Sequence, residues 1–263
     1  MDYVVVTGAY GGMGKEVCNL LASKGVTVFA LDKNVGESQP NIIPIEVDVQ
    51  SLDSVENASC QIAKTTNKLT AVFHFAGIYL LDSLVEMTEE RFLNAFNVNL
   101  FGVYRLNKLL TPMLTDGGKI IITTSELAPL NPLPFTGIYA ITKSALDKYA
   151  YSLRMEVQLL DISVSVIRAG AVDTGLLNVS TNELDKFIDN TKLYSCNAKR
   201  FKNVVNSVEA KKVKPIEIAK ISYKILKTKK PKYVYNVNRN KLLLILNILP
   251  KRLQNYIIKK ILK

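Results

Sequence analysis

A β-branched run, Tyr3-Val4-Val5-Val6, passes without a break into Thr7-Gly8-Ala9-Tyr10-Gly11-Gly12-Met13-Gly14, after which apolar residues recur at helical spacing through Val17, Leu20 and Leu21. A strand, a glycine turn and a helix in that order bring backbone N–H groups and a helix N-terminus to one point, because glycine accepts positive φ and lets a neighbour approach the backbone closely. The alternation then continues along the chain. Spacing predicts strands over 3–7, 27–32, 42–47, 69–75, 119–124, 163–167 and 232–237, and helices over 14–24, 88–114, 138–160 and 215–228. Short apolar strands separated by helices are the pattern of βαβ units. The predicted fold class is therefore α/β, a doubly wound (Rossmann), mostly parallel seven-stranded sheet flanked by helices. Thr88 before Glu89 and Glu90 reads as an N-cap with acids in the first turn, and Pro215 suits the first position of its helix.

A chain of 263 residues with this rhythm is read as one sheet domain over 1–238, followed by a basic amphipathic helical tail over 239–263. Three scattered cysteines, Cys18, Cys60 and Cys196, give neither a disulfide framework nor metal-ligand spacing, so no metal site is expected. The first apolar run starts almost at Met1, which leaves no room for a leader, and 242–249 is broken by Asn247 and stopped by Pro250, too short to span a bilayer. The expected location is the cytoplasm. Net charge is +11, but 16 Lys or Arg stand against Glu217 alone from Lys211 onward, so the basicity belongs to the C-terminal part. One stretch, 175–214, is too long for an ordinary connection and is expected to be a mobile substrate lid, its apolar residues being Leu176, Leu177, Leu184, Phe187, Ile188, Leu193 and Tyr194.

Asp32 ends the second predicted strand eighteen residues after Gly14, close to the offset of an acid that accepts the adenosine ribose hydroxyls of a dinucleotide. Tyr139 and Lys143 are four residues apart on a predicted helix, so their polar ends can converge on one site. A tyrosine titrates near ~10, and a unit charge at ~4 Å in a medium of effective dielectric ~20 supplies about 4 kcal/mol, the scale needed to bring it toward neutrality.

The glycine pattern T-G-x-x-x-G-x-G over Thr7–Gly14, Asp48-Val49 after the third strand, Phe75-Ala76-Gly77, Asn99 in Asn97-Val98-Asn99-Leu100, Ser125, the Tyr139-x-x-x-Lys143 pair and Gly170-Ala171-Val172-Asp173-Thr174 resemble, in order, the motifs of the short-chain dehydrogenase/reductase family. Three positions depart from that pattern. His74 and Phe75 stand where the family has Asn-Asn, and Ala169 stands where it has proline; His74, the single histidine, is read as a hydrogen-bonded structural residue. The resemblance covers about the first 175 residues. It implies a nicotinamide-dependent oxidoreductase in which Tyr139 exchanges a proton with the substrate oxygen, Ser125 hydrogen-bonds that oxygen, Lys143 acts on Tyr139 and the nicotinamide ribose, and Asn99 supports a water relay to Lys143. Gly8, Gly12, Met13, Gly14, Asp32, Asp48, Val49, Ala76, Gly77, Val172 and Thr174, with Tyr139 and Lys143, would hold the cofactor.

The acid at Asp32 favours NAD(H), since a 2′-phosphate there would meet a carboxylate at a cost of a few kcal/mol; Lys33 leaves NADP(H), and with it a carbonyl or ketoacyl reductase, as an alternative. Glu126 is a substrate contact or a loop acid, and the reading favours the loop acid. The expected substrate is a small alcohol or carbonyl compound, apolar and lipid- or steroid-like. The family habit implies a homodimer or homotetramer packed through the helices around Asn99 and Tyr139. Seven cations and no acid over 239–263, beside Leu253, Tyr256, Ile257 and Ile261, suggest contact with a membrane surface, with packing on protein as the competing reading. A nucleotide-sensing regulator or scaffold is the alternative of another class. One aromatic residue after Asn240 gives base stacking little support, so no nucleic-acid partner is expected.

Overall fold

The computed structural model describes residues 2–209 and 211–263; the side chains of 176–181, 208 and 209 lie outside the description, and with them Leu176 and Leu177 of the expected lid. Seven strands, β1 (Tyr3–Thr7), β2 (Thr27–Asp32), β3 (Ile42–Glu46), β4 (Leu69–His74), β5 (Leu114–Thr123), β6 (Ser163–Ala169) and β7 (Val234–Val237), form one parallel sheet in the order β3-β2-β1-β4-β5-β6-β7. All seven predicted strands are present. The strand order reverses between β1 and β4, which opens a crevice beyond their carboxyl ends.

Helices cover both faces, which explains why the central strands read as continuous apolar runs. On one face α1 (Gly12–Ser23) and α8 (Pro215–Lys227) bury Val17, Leu21, Ile218 and Ile225 against Val4, Val6, Phe73 and Ile121. On the other, α2 (Leu52–Thr65), α4 (Gly102–Leu110) and α5 (Gly137–Val157) cover Val5, Phe29, Val72, Ile120 and Val164. Alternate residues of β1 thus serve opposite cores, and truncating a fully buried ring such as Phe73 to Ala would cost about 3–5 kcal/mol.

Helix α2 is absent from the sequence reading, although Val55, Ala58 and Ile62 recur at helical spacing on its buried face; its start is set by Ser51, whose hydroxyl accepts from Ser54 N at 3.2 Å. The predicted helix over 88–114 is four pieces. Thr88 caps α3 (Glu89–Phe96) by accepting from Arg91 N at 3.3 Å, as its sequence implies. A π turn, Asn97–Phe101, interrupts the ladder before α4, and Pro112 lies in a short 3₁₀ turn that leads into β5. Single π turns inside helices are rare and concentrate at functional sites.

The stretch over 175–214 is two helices, α6 (Gly175–Asn190) and α7 (Ser195–Glu209). They share a small core in which Leu184, Phe187, Ala198, Phe201 and Val205 meet Leu81 and Leu262. The tail also folds, into α9 (Lys241–Ile248) and α10 (Lys251–Leu262). Helix α10 turns Gln254, Ile258 and Leu262 toward the protein, leaving Leu253, Tyr256 and Ile261 exposed. Of the face marked in the sequence by Leu253, Tyr256, Ile257 and Ile261, only Ile257 is partly buried, so that face is largely not the one that packs on the domain. Among the described residues no helix is long and apolar enough to cross a membrane.

Candidate active site

The turn after β1 is built for close approach. Gly8 has φ +64°, and a Cβ there would lie 2.6 Å from Ala76 N; a Cβ on Gly14 would overlap the Gly8 carbonyl oxygen. This packing brings the N-terminal turn of α1 to the crevice, whose wall includes Gly8, Gly12, Met13, Gly14, Asp32, Asp48, Val49, Ala76, Gly77 and Thr174. Ala76 N donates to Thr7 Oγ1 at 3.2 Å, fixing the segment after β4 to the end of β1. The Asp32 carboxylate accepts from Tyr10 N at 2.9 Å and Lys33 N at 2.7 Å, so it is held at the strand end with lone pairs to spare. Lys33 Nζ lies 3.0 Å from Asp48 Oδ2, and the Gln50 N–H with this ammonium holds the Asp48 carboxyl below its usual range.

Thr174 closes over the glycine turn, for a Cβ on Gly12 would fall 2.6 Å from its side chain. The segment is stitched down elsewhere as well: Asp173 N donates to Val213 O, Val213 N to Ala171 O, and Asn238 Nδ2 to Ala171 O. Val172 is buried by this arrangement and lines the next cavity.

That second cavity, mostly apolar, shares Met13, Gly77 and Thr174 with the crevice and contains Ser125, Tyr139 and Lys143. Tyr139 and Lys143 project from one face of α5. Lys143 is buried, donates to Thr123 O at 3.2 Å and lies 5.9 Å from the Tyr139 ring centre. Ser125 lines the cavity beside Tyr139, and its hydroxyl favours the ionised phenol. Asn99, on the π turn, accepts from Ile78 N at 2.8 Å and donates to Ile78 O and Thr142 Oγ1. Its amide is thus committed to fixing residue 78 and does not itself reach Lys143. Gly77 sits between them, where a Cβ would meet Asn99 Oδ1 at 3.2 Å and Lys143 Nζ at 3.5 Å.

Burial pushes the Tyr139 phenol up to about 12, opposed by the Ser125 hydroxyl and reinforced by Glu126, while burial takes Lys143 down to about 8. Desolvation, not the neighbouring ammonium, dominates Tyr139 in this arrangement, so the hydroxyl keeps its proton at neutrality. Its ground form is a proton donor.

Glu126 is more than a loop acid. Its carboxylate is buried in the cavity wall, accepts from Asn240 N at 2.6 Å, and is pushed up by burial. Asn240 in turn caps α9, its Oδ1 accepting from Leu242 N and Leu243 N. The start of the tail is therefore tied to the residue beside Ser125. Tyr79 was not visible in the sequence; its ring meets the Tyr139 ring edge-on with centres 4.5 Å apart. Neither was Leu243, whereas Leu133, Thr136 and Phe201 fall in the two segments, 127–136 and 175–214, expected to carry substrate specificity. His74 lies in the core, paired through Nε2 with Asn107 Oδ1 at 2.8 Å.

Comparison with known proteins agrees with this geometry. The family model described as short chain dehydrogenase matches residues 2–185. The chain is 25% identical over 232 residues to a 3-ketodihydrosphingosine reductase of Bacteroides thetaiotaomicron, covering 88% of this chain and 85% of the relative. It is 31% identical over 194 residues to the uncharacterized oxidoreductase YbbO of Escherichia coli K12, covering 71% and 72%. Among solved structures, a short chain dehydrogenase family protein of Francisella tularensis superposes with a TM-score of 0.75 at 24% identity, over 90% of this chain and 97% of that one. The protein belongs to the short-chain dehydrogenase/reductase family and is an oxidoreductase.

Proposed function

We propose that the protein transfers a hydride between NAD(H) and a secondary alcohol or ketone of apolar, lipid- or steroid-like character. The carrying observation is the junction of two spaces: a glycine-lined crevice with Asp32 at one end opens at Gly77 and Thr174 into an apolar cavity that holds Ser125, Tyr139 and Lys143. The residues present fit a dinucleotide. The glycine turn and the α1 N-terminus in the crevice wall would receive the pyrophosphate, and Asp32 would accept the ribose hydroxyls.

Nicotinamide, when bound, supplies or takes up the hydride. The protein supplies the proton and the geometry. Tyr139, protonated at neutrality, donates its proton to a carbonyl oxygen in reduction and takes it back in oxidation; Ser125 holds that oxygen by a hydrogen bond. Lys143, its ammonium over the Tyr139 ring, would meet the ribose hydroxyls, and Asn99 keeps residue 78 in place. Val172 and Thr174, in the cavity wall, would close over the nicotinamide end.

The apolar lining of the cavity and the relative named for reducing 3-ketodihydrosphingosine support a lipid-like ketone or alcohol. Pairing of Lys33 with Asp48 supports NAD(H) over NADP(H). Exposed Phe101, Tyr104, Tyr151 and Met155 on the helices around Asn99 and Tyr139 support a homodimer or homotetramer. Residues 175–214 are proposed as the cavity's cover, and 239–263 as a peripheral contact with a membrane. Oxidation of NADH coupled to reduction of long-chain ketones, followed at 340 nm in a panel screen, tests the activity; a wild-type protein that binds NADH and reduces no member of the panel counts against it.

A further inference from the structure

Helix α9 is apolar on every side: six of its eight residues are Leu or Ile. A helix of that kind is ordinarily enclosed by protein or lipid. Here only one side is. Leu243 and Leu246 face the loop over 127–133, and Leu243 also reaches the substrate cavity, whereas Leu242, Ile245 and Ile248 are 75%, 58% and 83% exposed. Leu253, Tyr256 and Ile261 of α10 add further exposed apolar surface.

The platform is rigid. Gln254 Nε2 donates to Asn247 O and Leu249 O, closing the corner between α9 and α10, and its Oε1 accepts from Asn131 Nδ2. Asn197 Nδ2 donates to Leu262 O at the far end of α10. Its charge is one-sided: 239–263 contains no Asp or Glu, and among the described residues Lys241, Lys251, Arg252, Lys259, Lys260 and Lys263 form no ion pair.

We propose that the exposed face of α9, with the lysines and arginine of α10, docks the enzyme on an anionic lipid bilayer. Aliphatic side chains enter the headgroup boundary while the cations meet lipid phosphates. Eight residues of helix extend only about 12 Å, so α9 lies in the interface and does not cross it. A second copy of the chain is a poorer occupant, since it would bring an equal set of unpaired cations against the first. Because Leu243 carries the opposite side of the same helix into the cavity, docking places the cavity beside the lipid from which an apolar substrate would come. That last step rests on the lipid-like substrate proposed above.

The test is flotation of the full chain with vesicles of phosphatidylglycerol and phosphatidylcholine, against vesicles of phosphatidylcholine alone. Binding is expected to the anionic vesicles and to weaken with salt. The combined variant Leu242→Ser, Ile245→Ser, Ile248→Ser should lose about tenfold or more of that affinity, and Lys251→Gln, Arg252→Gln, Lys259→Gln, Lys260→Gln should lose affinity together with its salt dependence. Both should keep wild-type NADH binding and thermal stability. Equal vesicle binding by wild type and the serine variant overturns the proposal, as does a wild-type dimer that the serine variant converts to monomer in light scattering. The substrate reading is separable: vesicle binding without ketone turnover sinks that reading alone, and turnover without vesicle binding sinks the docking alone.

Discussion

Lys33 Nζ stands 3.0 Å from Asp48 Oδ2, so the cation next to the strand-terminal Asp32 is already paired across the crevice. A 2′-phosphate at this end would face the Asp32 carboxylate without a dedicated positive partner. NADH should therefore be preferred to NADPH by at least about tenfold in kcat/KM, equivalent to about 1.4 kcal/mol. Asp32→Asn should narrow the preference by weakening NADH. Steady-state kinetics with both cofactors decides it, and equal or better turnover with NADPH contradicts the assignment.

Removing the Tyr139 hydroxyl takes away the proton donor and leaves the crevice intact. Tyr139→Phe should lower kcat by about 10²–10⁴, the usual range for a general acid or base, with the dissociation constant for NADH changed less than about twofold. Lys143→Ala should damage both. Near-normal turnover by Tyr139→Phe would mean that another group carries the proton.

Burial sets the Lys143 ammonium near 8, so it loses its charge as pH rises through about 8, more than two units below a free lysine. NADH affinity of the free protein should fall over that interval, and Lys143→Arg, which stays charged, should remove the step. Fluorescence titration from about pH 7 to about pH 9.5 reads it directly; a flat profile in the wild type would assign the ammonium no part in binding.

His74 is buried and held neutral, its imidazole pushed down to about 4 by desolvation. Its folded value lies below the unfolded value of about 6.5, so its contribution to stability is complete above about pH 6.5 and is lost as pH falls toward about 4. Denaturant melts across that window should show this acid-side loss, reduced in His74→Asn, which keeps a side chain able to bond Asn107. An identical slope in the two proteins would assign the loss to carboxylates.

The proposed cover over 175–214 is latched at a few points. Glu86 accepts from Thr191 Oγ1 at 2.6 Å, Lys192 N at 2.8 Å and Leu193 N at 3.1 Å, and Arg91 bridges Asp82 and Glu183 at 3.0 and 3.1 Å. Glu86→Ala should raise hydrogen exchange in α6 and increase KM more than it lowers kcat. Exchange in this segment that is unchanged on forming the ternary complex would favour a static helical pair with its own core.

What the sequence exposed was whatever local physics writes into short stretches. The strands were legible because both faces are buried, the β1 turn because its glycines are forced by Ala76 and the Gly8 carbonyl, and the Tyr139–Lys143 pair because four residues make one helical turn. Helix α2 was legible in principle, since Val55, Ala58 and Ile62 recur at helical spacing behind the cap Ser51. The π turn at Asn97–Phe101 escaped because its sequence continues a helical pattern. Tyr79, Glu126 and Leu243 reach the cavity only through tertiary packing, and the direction of the Tyr139 shift depends on burial, which spacing does not reveal.

The central claim is that Tyr139, Ser125 and Lys143 stand where hydride transfer between NAD(H) and an apolar ketone or alcohol takes place. Its most direct test is a single-turnover measurement of NADH oxidation by wild type and Tyr139→Phe on the best long-chain ketone of the panel, at saturating cofactor. The account predicts a fast phase in the wild type that falls by at least about 10² in the variant with NADH still bound. Equal rates in the two proteins would contradict it.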